Sequence, residues 1–402
     1  MLNFDDAQTR LADRAHPPRH HETLPLADLF GRVLATDTFA TLDLPPADNS
    51  AMDGYALRAA DTLRTPVTLP VQQRCFAGQA PQALLPGQAI RLFTGSVLPT
   101  GADTIVMQED CREDDTGVTF DAPAQADRHI RRRGEDMRAG ARILAAGTLL
   151  GAGEIAVLAA QGIAQAPVFP LLKVGILTTG DELITPGQPL PPAAIYNSNA
   201  PMLASLCRGL RTAPAQLRHA RDDEAAIQRA LAELADCCDL VLSVGGASVG
   251  EKDLVKPAID ALGGTLDLWR VRMKPGKPVA LATLRERPLV CLPGNPVSAF
   301  AVFTLLVSPL IRGLQGRRLI RPPVRRGILA ADRPLGGDRD DFIRIQARQP
   351  ASGLPTLTPH TQQSSGALSS LAWADGLARI PAGTPVPPGA EVDWYALSDW
   401  LA

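Results

Sequence analysis

The sequence predicts a multidomain chain of α/β plus all-β modules, and three observations carry that prediction. Strand-like and helix-like segments alternate from about residue 168 to 316, the pattern of βαβ units around a parallel sheet. The stretches on either side are cut by proline and glycine into short β-type runs. A chain of 402 residues also exceeds what one hydrophobic core serves, so two to four domains of roughly 100–200 residues are expected.

Taken in order, Phe4–Ala15 and Leu26–Ala35 read as helices. Val67–Val71, Ala89–Phe93, Asp103–Gln108 and Val118–Phe120 read as short strands. Small apolar residues return at 140–166, where Gly153–Gln161 reads as a helix stopped by Gly162. In the alternating region Lys173–Leu177, Gln216–Ala220, Asp239–Val244 and Pro288–Leu292 read as strands. Pro201–Leu210, Asp222–Asp236, Lys252–Leu262 and Ala299–Leu314 read as the intervening helices. Ile227, Leu231 and Leu234, at i, i+4 and i+7, give the second of these an apolar stripe. Past residue 322, alternation in Phe342–Ala347 and Glu391–Tyr395 suggests a small β-sandwich or barrel.

Composition narrows the functional classes. A net charge of −2 supplies no field that would recruit nucleic acid or an anionic membrane. The six cysteines include no CxxC, which disfavours a zinc ribbon and a disulfide framework. No signal-like apolar run opens the sequence. The longest apolar stretch, Ala299–Ile311, is broken by Ser308 and Pro309. A reduced, cytoplasmic protein is expected. None of the six histidines falls in a glycine loop, so a His-activated nucleophile is disfavoured. There is no Walker lysine loop and no GxGxxG after the first strand of the α/β region.

Ligands of open parallel sheets bind beyond the carboxyl ends of the strands. Three loops of small residues fall there: Thr178–Glu182, Gly245–Gly250 and Pro293–Ser298. Such loops let a ligand approach the backbone, and their free N–H groups favour phosphate or another anion. One loop alone reads as a tight turn, whereas three on one edge favour a binding site. Lysine is scarce, with only five in the chain, yet Lys274 and Lys277 flank a Pro-Gly turn and suit a phosphate. Glu182, Asp222 and Asp253 lie on the same edge, and carboxylates mixed with phosphate loops are how Mg²⁺ is commonly held. Asp222 is equally readable as a helix cap. The residues alone therefore describe a multidomain protein that binds a phosphorylated, metal-bearing small molecule.

At these residues the sequence resembles the molybdopterin molybdenumtransferases, the molybdenum insertases of molybdenum cofactor synthesis. The resemblance runs in family order through Asp48–Tyr55, Phe93–Gly95, Val106–Glu109, Arg131–Asp136, Thr179–Leu183, Ile195–Asn199, Arg221–Asp223, Gly245–Asp253, Lys274–Pro278 and Leu292–Ser298. It continues more weakly through Asp341–Arg344 and Gln363–Leu371. It implies a four-domain, elongated homodimer whose site lies in a cleft lined by both subunits. The domains would be a stalk (21–45 and 140–166), a β-rich insertion (46–139), a molybdopterin-binding α/β domain (1–20 and 167–318) and a C-terminal β-barrel (322–402).

The implied reaction converts adenylylated molybdopterin and molybdate, with Mg²⁺, to molybdenum cofactor and AMP. The implied catalytic residues are Asp53, Thr94, Asp136, Glu182, Asp222 and Asp253, with Glu182, Asp222 and Asp253 serving the metal. The implied ligand contacts are Thr179, Gly180, Asp181, Gly245, Gly246, Ser248 and Gly250 on the first loops. Lys274, Lys277, Pro293, Gly294, Asn295, Pro296, Arg344 and Ser365 complete them. Other molybdenum cofactor biosynthesis proteins and molybdoenzyme chaperones are the protein partners to expect; nucleic acid and membrane are not. Two other readings stand beside this one. The scaffold gephyrin carries a similar region, behind a further domain and linker not expected here. A molybdopterin adenylyltransferase domain resembles residues 168–316 alone.

Overall fold

The computed structural model describes residues 2–245 and 254–402. The chain divides into two compact units. One comprises residues 1–35, 147–150 and 166–402; the other comprises 36–146 and 151–165.

The first unit is built on a six-stranded sheet in the order Gln216–Ala220, Val174–Thr179, Leu240–Val244, Arg287–Leu292, Ala280–Leu284, Thr265–Trp269. The first four strands are parallel, as expected. The last two are antiparallel and extend the sheet beyond the parallel prediction. Val174–Thr179 and Leu240–Val244 are buried at every residue, which explains their near-continuous apolar runs. On one face lie the helices Glu224–Cys237 and Val255–Ala261; Ile227, Leu231 and Leu234 all enter that core. The start of the second helix, expected at Lys252, falls outside the described residues. The other face is covered by Phe4–Asp13, Asn199–Gly209 and the helical run Pro296–Leu314.

Pro296–Leu314 is long and apolar enough to cross a membrane by length and composition, but it is wholly buried in this core. Its middle, Phe303–Val307, widens to a π-turn immediately before Ser308–Leu314. Pro309 has no N–H for the regular α ladder, and the wider turn absorbs the loss without ending the helix. The second expected helix is not formed. Only Leu26–Asp28 makes a 3-10 turn, because Gly31 at φ +77° reverses the chain. Val33 and Leu34 instead bridge to Leu149 and Val168.

The end of this unit is a barrel. The strands Arg325–Leu329, Asp340–Arg348, Thr356–Pro359, Gly376–Ile380 and Glu391–Ala396 close on themselves, since Asp340–Arg348 pairs with both Thr356–Pro359 and Gly376–Ile380. Closure leaves no free edge. Met273–Lys274 adds a short parallel strand beside Asp340–Asp341, so the lysine loop is anchored to the barrel.

The second unit holds two larger antiparallel-rich sheets beside two two-stranded ones. Gly54–Leu57 lies between Ala89–Leu92 and Thr104–Met107, with Val71–Cys75 outside. Gly117–Phe120 lies between Val67–Leu69 and Cys111–Asp114. The expected strand Val67–Val71 is split because Pro70 cannot continue the ladder. Alternation sends Tyr55 and Leu57 into one apolar cluster and Ala56 into another. The helix Ala152–Ala160 ends at Gly162, φ +69°, as its glycine predicts. Gln161 holds it to Thr41 and Leu42: its side-chain oxygen accepts from both backbone N–H groups, at 2.8 and 3.1 Å.

Candidate functional site

In the first unit the parallel strands end at one edge, and the expected loops meet there. Thr179 closes its strand, and Gly180 follows at φ +141° with the Glu182 carboxylate folded against it. Gly245, at φ +95°, approaches so closely that a Cβ there would stand 2.8 Å from Thr179 Oγ1. A Cβ on Gly294 would stand 3.7 Å from the Gly245 Cα. Three strand ends thus lie in contact, and two of the positions, Gly180 and Gly245, have a φ that only glycine adopts without strain.

Asparagines from the Ile195–Asn199 stretch pin this edge. Asn197 Nδ2 donates to Thr178 Oγ1 at 2.9 Å, and Asn199 Nδ2 donates to the Gly294 carbonyl at 2.7 Å. Asn295 Nδ2 reaches Ser365 Oγ of the barrel at 3.1 Å, with Pro296 starting the buried helix behind it. Pro293 is buried under the same loop. Asn197 and Asn199 carry no assigned role in the sequence reading. The signal that would have found them is a pair of amides at the start of a helix, where such side chains serve caps and loops: Asn197 Oδ1 also accepts from the Ala200 N–H at 3.2 Å.

The acidic residues separate by role. The Asp222 N–H donates to Asp181 Oδ1 at 3.3 Å, tying two strand ends together. The cap of Glu224–Cys237 is Asp223, which accepts from Ala226 N–H at 2.8 Å. That settles the open alternative: the Asp222 carboxylate is spared the capping role. Among the described residues no three His, Cys, Asp or Glu side chains form a closed metal cluster. Exposed Asp181 and Glu182 beside half-buried Asp222 suit a hard cation that shares its shell with ligand phosphates and water. Gly246, Ser248, Gly250 and Asp253 lie outside the described residues.

The two lysines differ. Lys274 Nζ is paired with Asp341 at 2.8 Å. Lys277 is exposed with no carboxylate partner among the described residues, while its carbonyl accepts from Val271 and Val279 N–H. Gly276, at φ +118°, packs onto the core helix, where a Cβ would come within 2.6 Å of Val302. The expectation for Arg344 is corrected. Its side chain is 0% exposed: Nε donates to Ser370 Oγ and Nη2 to the carbonyls of Gln362 and Ser364, all at 3.0–3.1 Å, and Nη1 is buried without a partner among the described residues. It shapes the segment that presents Ser365 and offers no accessible surface to a ligand. A cavity of about 730 Å³ in this unit, lined in part by Arg312, Arg317, Arg318 and Arg325, contains none of the expected site residues.

In the second unit, three separated stretches are knitted together. Asn49–Ser50 pairs with Ile130–Arg131, and Ser50 exchanges backbone bonds with Gly95 and Ser96. Asp53 Oδ1 accepts from both the N–H and the hydroxyl of Thr94, each at 2.8 Å. These bonds, the backbone one first, hold its carboxyl below the usual carboxylate range. Two arginines of the Arg131–Asp136 stretch are engaged: Arg132 pairs with Asp48 and Asp127, and Arg133 with Asp43. Asp136 follows on the same turn, exposed, with its N–H on the Leu44 carbonyl.

An α/β domain with a glycine-lined strand edge, carried in one chain with β modules that present carboxylates, defines a class of multidomain small-molecule-binding scaffold. Comparison with known proteins places the chain within that class. Family models match residues 2–162 as the MoeA N-terminal region (domains I and II), 175–313 as a probable molybdopterin binding domain, and 326–397 as the MoeA C-terminal region (domain IV). The molybdopterin molybdenumtransferase of Haemophilus influenzae is 37% identical over 80% of this chain and 80% of its own length. That of a Nostoc species is 37% identical over 90% of this chain and 85% of its own. A molybdopterin biosynthesis MoeA protein from Pyrococcus horikoshii is 30% identical, with a TM-score of 0.84 over 98% of this chain and 100% of its own. The chain belongs to the molybdopterin molybdenumtransferase family, transferases of molybdenum cofactor biosynthesis.

Proposed function

We propose that the chain inserts molybdenum from molybdate into adenylylated molybdopterin, releasing AMP in an Mg²⁺-dependent reaction. The observation that carries this reading is the convergence of Thr179, Gly245 and Gly294 at one strand edge, a backbone cradle suited to phosphates. Lys277 would meet phosphate directly, and Lys274 would do so in exchange with Asp341. Glu182 and Asp222, together with Asp253 outside the described residues, would hold Mg²⁺, which supplies neutralisation of the phosphate charge when bound. Asp53, oriented by Thr94, and Asp136 would act on the molybdate side. Arg344 would act at one remove, by shaping the segment that carries Ser365.

The reading includes a cytoplasmic homodimer with the four-domain division stated above. Single-turnover release of AMP from adenylylated molybdopterin, requiring both molybdate and Mg²⁺, is the expected result. Consumption of ATP with free molybdopterin would assign the adenylyltransferase step instead. Sedimentation of an active monomer at micromolar concentration would remove the dimer.

A further inference from the structure

The Val106–Glu109 stretch is left without a role by the reading above, and the register of the second unit gives it one. Gly54 pairs with Leu92 on one side and with Met107 on the other. Asp53 therefore leaves the sheet between two turns, one beginning at Phe93 and the other at Gln108. Thr94 of the first turn holds the Asp53 carboxylate. Gln108 of the second turn holds its backbone, donating N–H to the Asp53 carbonyl at 3.1 Å.

The Gln108 side chain makes two further bonds. Its Oε1 accepts from Arg91 Nη2, and its Nε2 donates to Glu109 Oε1 at 3.0 Å. Chemistry fixes this orientation, because a guanidinium only donates and a carboxylate only accepts. Arg91 itself is 7% exposed and stacked at 4.8 Å over Tyr55 and 5.1 Å over Phe93, with Nη1 buried and without a hydrogen-bond partner. Packed against these rings and bonded to Gln108, the guanidinium is fixed in one orientation and fixes the Gln108 amide with it. Its field also favours the ionised forms of both Asp53 and Glu109, which otherwise repel each other.

We propose that Arg91 and Gln108 are positioning residues for the Asp53 site, and that through them Glu109 is held beside Asp53 as its second working carboxylate. The proposal rests on the reading of Asp53 as a functional residue and adds three residues to it.

The test compares Gln108→Glu and Glu109→Gln with Asp53→Asn in the full chain. Gln108→Glu keeps an acceptor for Arg91 but replaces the donor to Glu109 with a like charge. Both changed side chains are exposed, so folding is retained. Single-turnover AMP release should fall about ten- to a hundred-fold in each, the range for one charge-assisted hydrogen bond. The Kd for adenylylated molybdopterin should stay at the parental value. Arg91→Met should show the same split, with loss of thermal stability added. Parental turnover in Gln108→Glu and Glu109→Gln, alongside a dead Asp53→Asn, overturns the relay while leaving the Asp53 reading standing. Equal losses in turnover and affinity also overturn it, by making the three residues structural. Parental turnover in Asp53→Asn removes the foundation instead.

Discussion

The two units prepare their candidate residues in opposite ways. In the α/β unit the cradle is made of backbone and glycine, pinned by the amides of Asn197 and Asn199. Its charges are left available: Lys277 and the Asp222 carboxylate have no ion-pair partner among the described residues. In the β-rich unit most carboxylates arrive already engaged, exposed Asp136 being an exception. Asp53 is held by Thr94, Glu109 by Gln108, Glu113 by Tyr55 and Arg74, and Asp48 by Arg132 and Arg133. Unpaired charge suits a surface that must capture an anionic ligand, since capture then supplies the missing partner. Charge fixed in advance suits groups that must stand in one orientation when a reaction occurs.

That contrast breaks most sharply at Asp53. Asp53→Asn keeps the size and most of the hydrogen bonding while deleting the charge, so turnover should fall about 10²–10³-fold with ligand affinity retained. Parallel calorimetry and single-turnover AMP release on one preparation check the split. If affinity fell as far as turnover, the residue would belong with the capturing surface.

Arg344 tests whether the barrel follows the fixed pattern. Arg344→Met removes a buried donor from three acceptors, Ser370 Oγ and the part-buried carbonyls of Gln362 and Ser364, and should cost about 2–3 kcal/mol of stability. Denaturant unfolding measures the loss. Ligand affinity should fall only through the Ser365 segment, so Ser365→Ala in the Arg344→Met background should add little.

The backbone cradle should be sensitive to a single methyl group. Gly245→Ala forces an L-residue at φ +95° against Thr179 Oγ1, a strain of about 1–3 kcal/mol. It should weaken binding of adenylylated molybdopterin, whereas the same substitution at exposed Gly140, which a Cβ would meet without contact, should leave binding unchanged.

The lysines should separate. Lys277→Ala removes an available charge and should weaken ligand binding about ten- to a hundred-fold. Lys274→Ala removes one already shared with Asp341 and half-exposed, so its loss should be smaller. Both effects should shrink with salt in titrations at rising ionic strength. Equal losses would mean that Asp341 releases Lys274 at no cost.

The smallest effect concerns acid. Asp43 and Asp48 have carboxyls lowered first by backbone bonds, from Ala139 and Arg133, and then by the arginines beside them. A depressed folded-state value contributes stability that is complete above the unfolded value of about 3.8 and lost as pH falls through the lower folded value. Thermal melting of the second unit should therefore be flat near neutrality and fall below about pH 4. Asp48→Asn should lower the neutral plateau and flatten that fall.

By itself the sequence determined the elements whose cause is local. The buried runs Val174–Thr179 and Leu240–Val244, the apolar stripe of Ile227, Leu231 and Leu234, and the helix stop at Gly162 follow from periodicity and from a glycine's φ. The glycine loops at the strand ends were legible for the same reason. Tertiary structure alone decided everything that depends on a distant partner. The antiparallel extension of the sheet arises because Ala280–Leu284 found Arg287–Leu292 across a tight turn, a choice that short apolar runs do not encode. Asp223 caps its helix, leaving Asp222 for the strand edge, a one-residue difference that capping preference cannot resolve. Lys274 and Lys277 look alike in sequence until Asp341, 67 residues on, is brought beside one of them. Arg344 resembles a ligand contact until the barrel closes over it. A side chain's chemistry is written in the sequence, but whether that chemistry is available depends on which groups the fold places next to it.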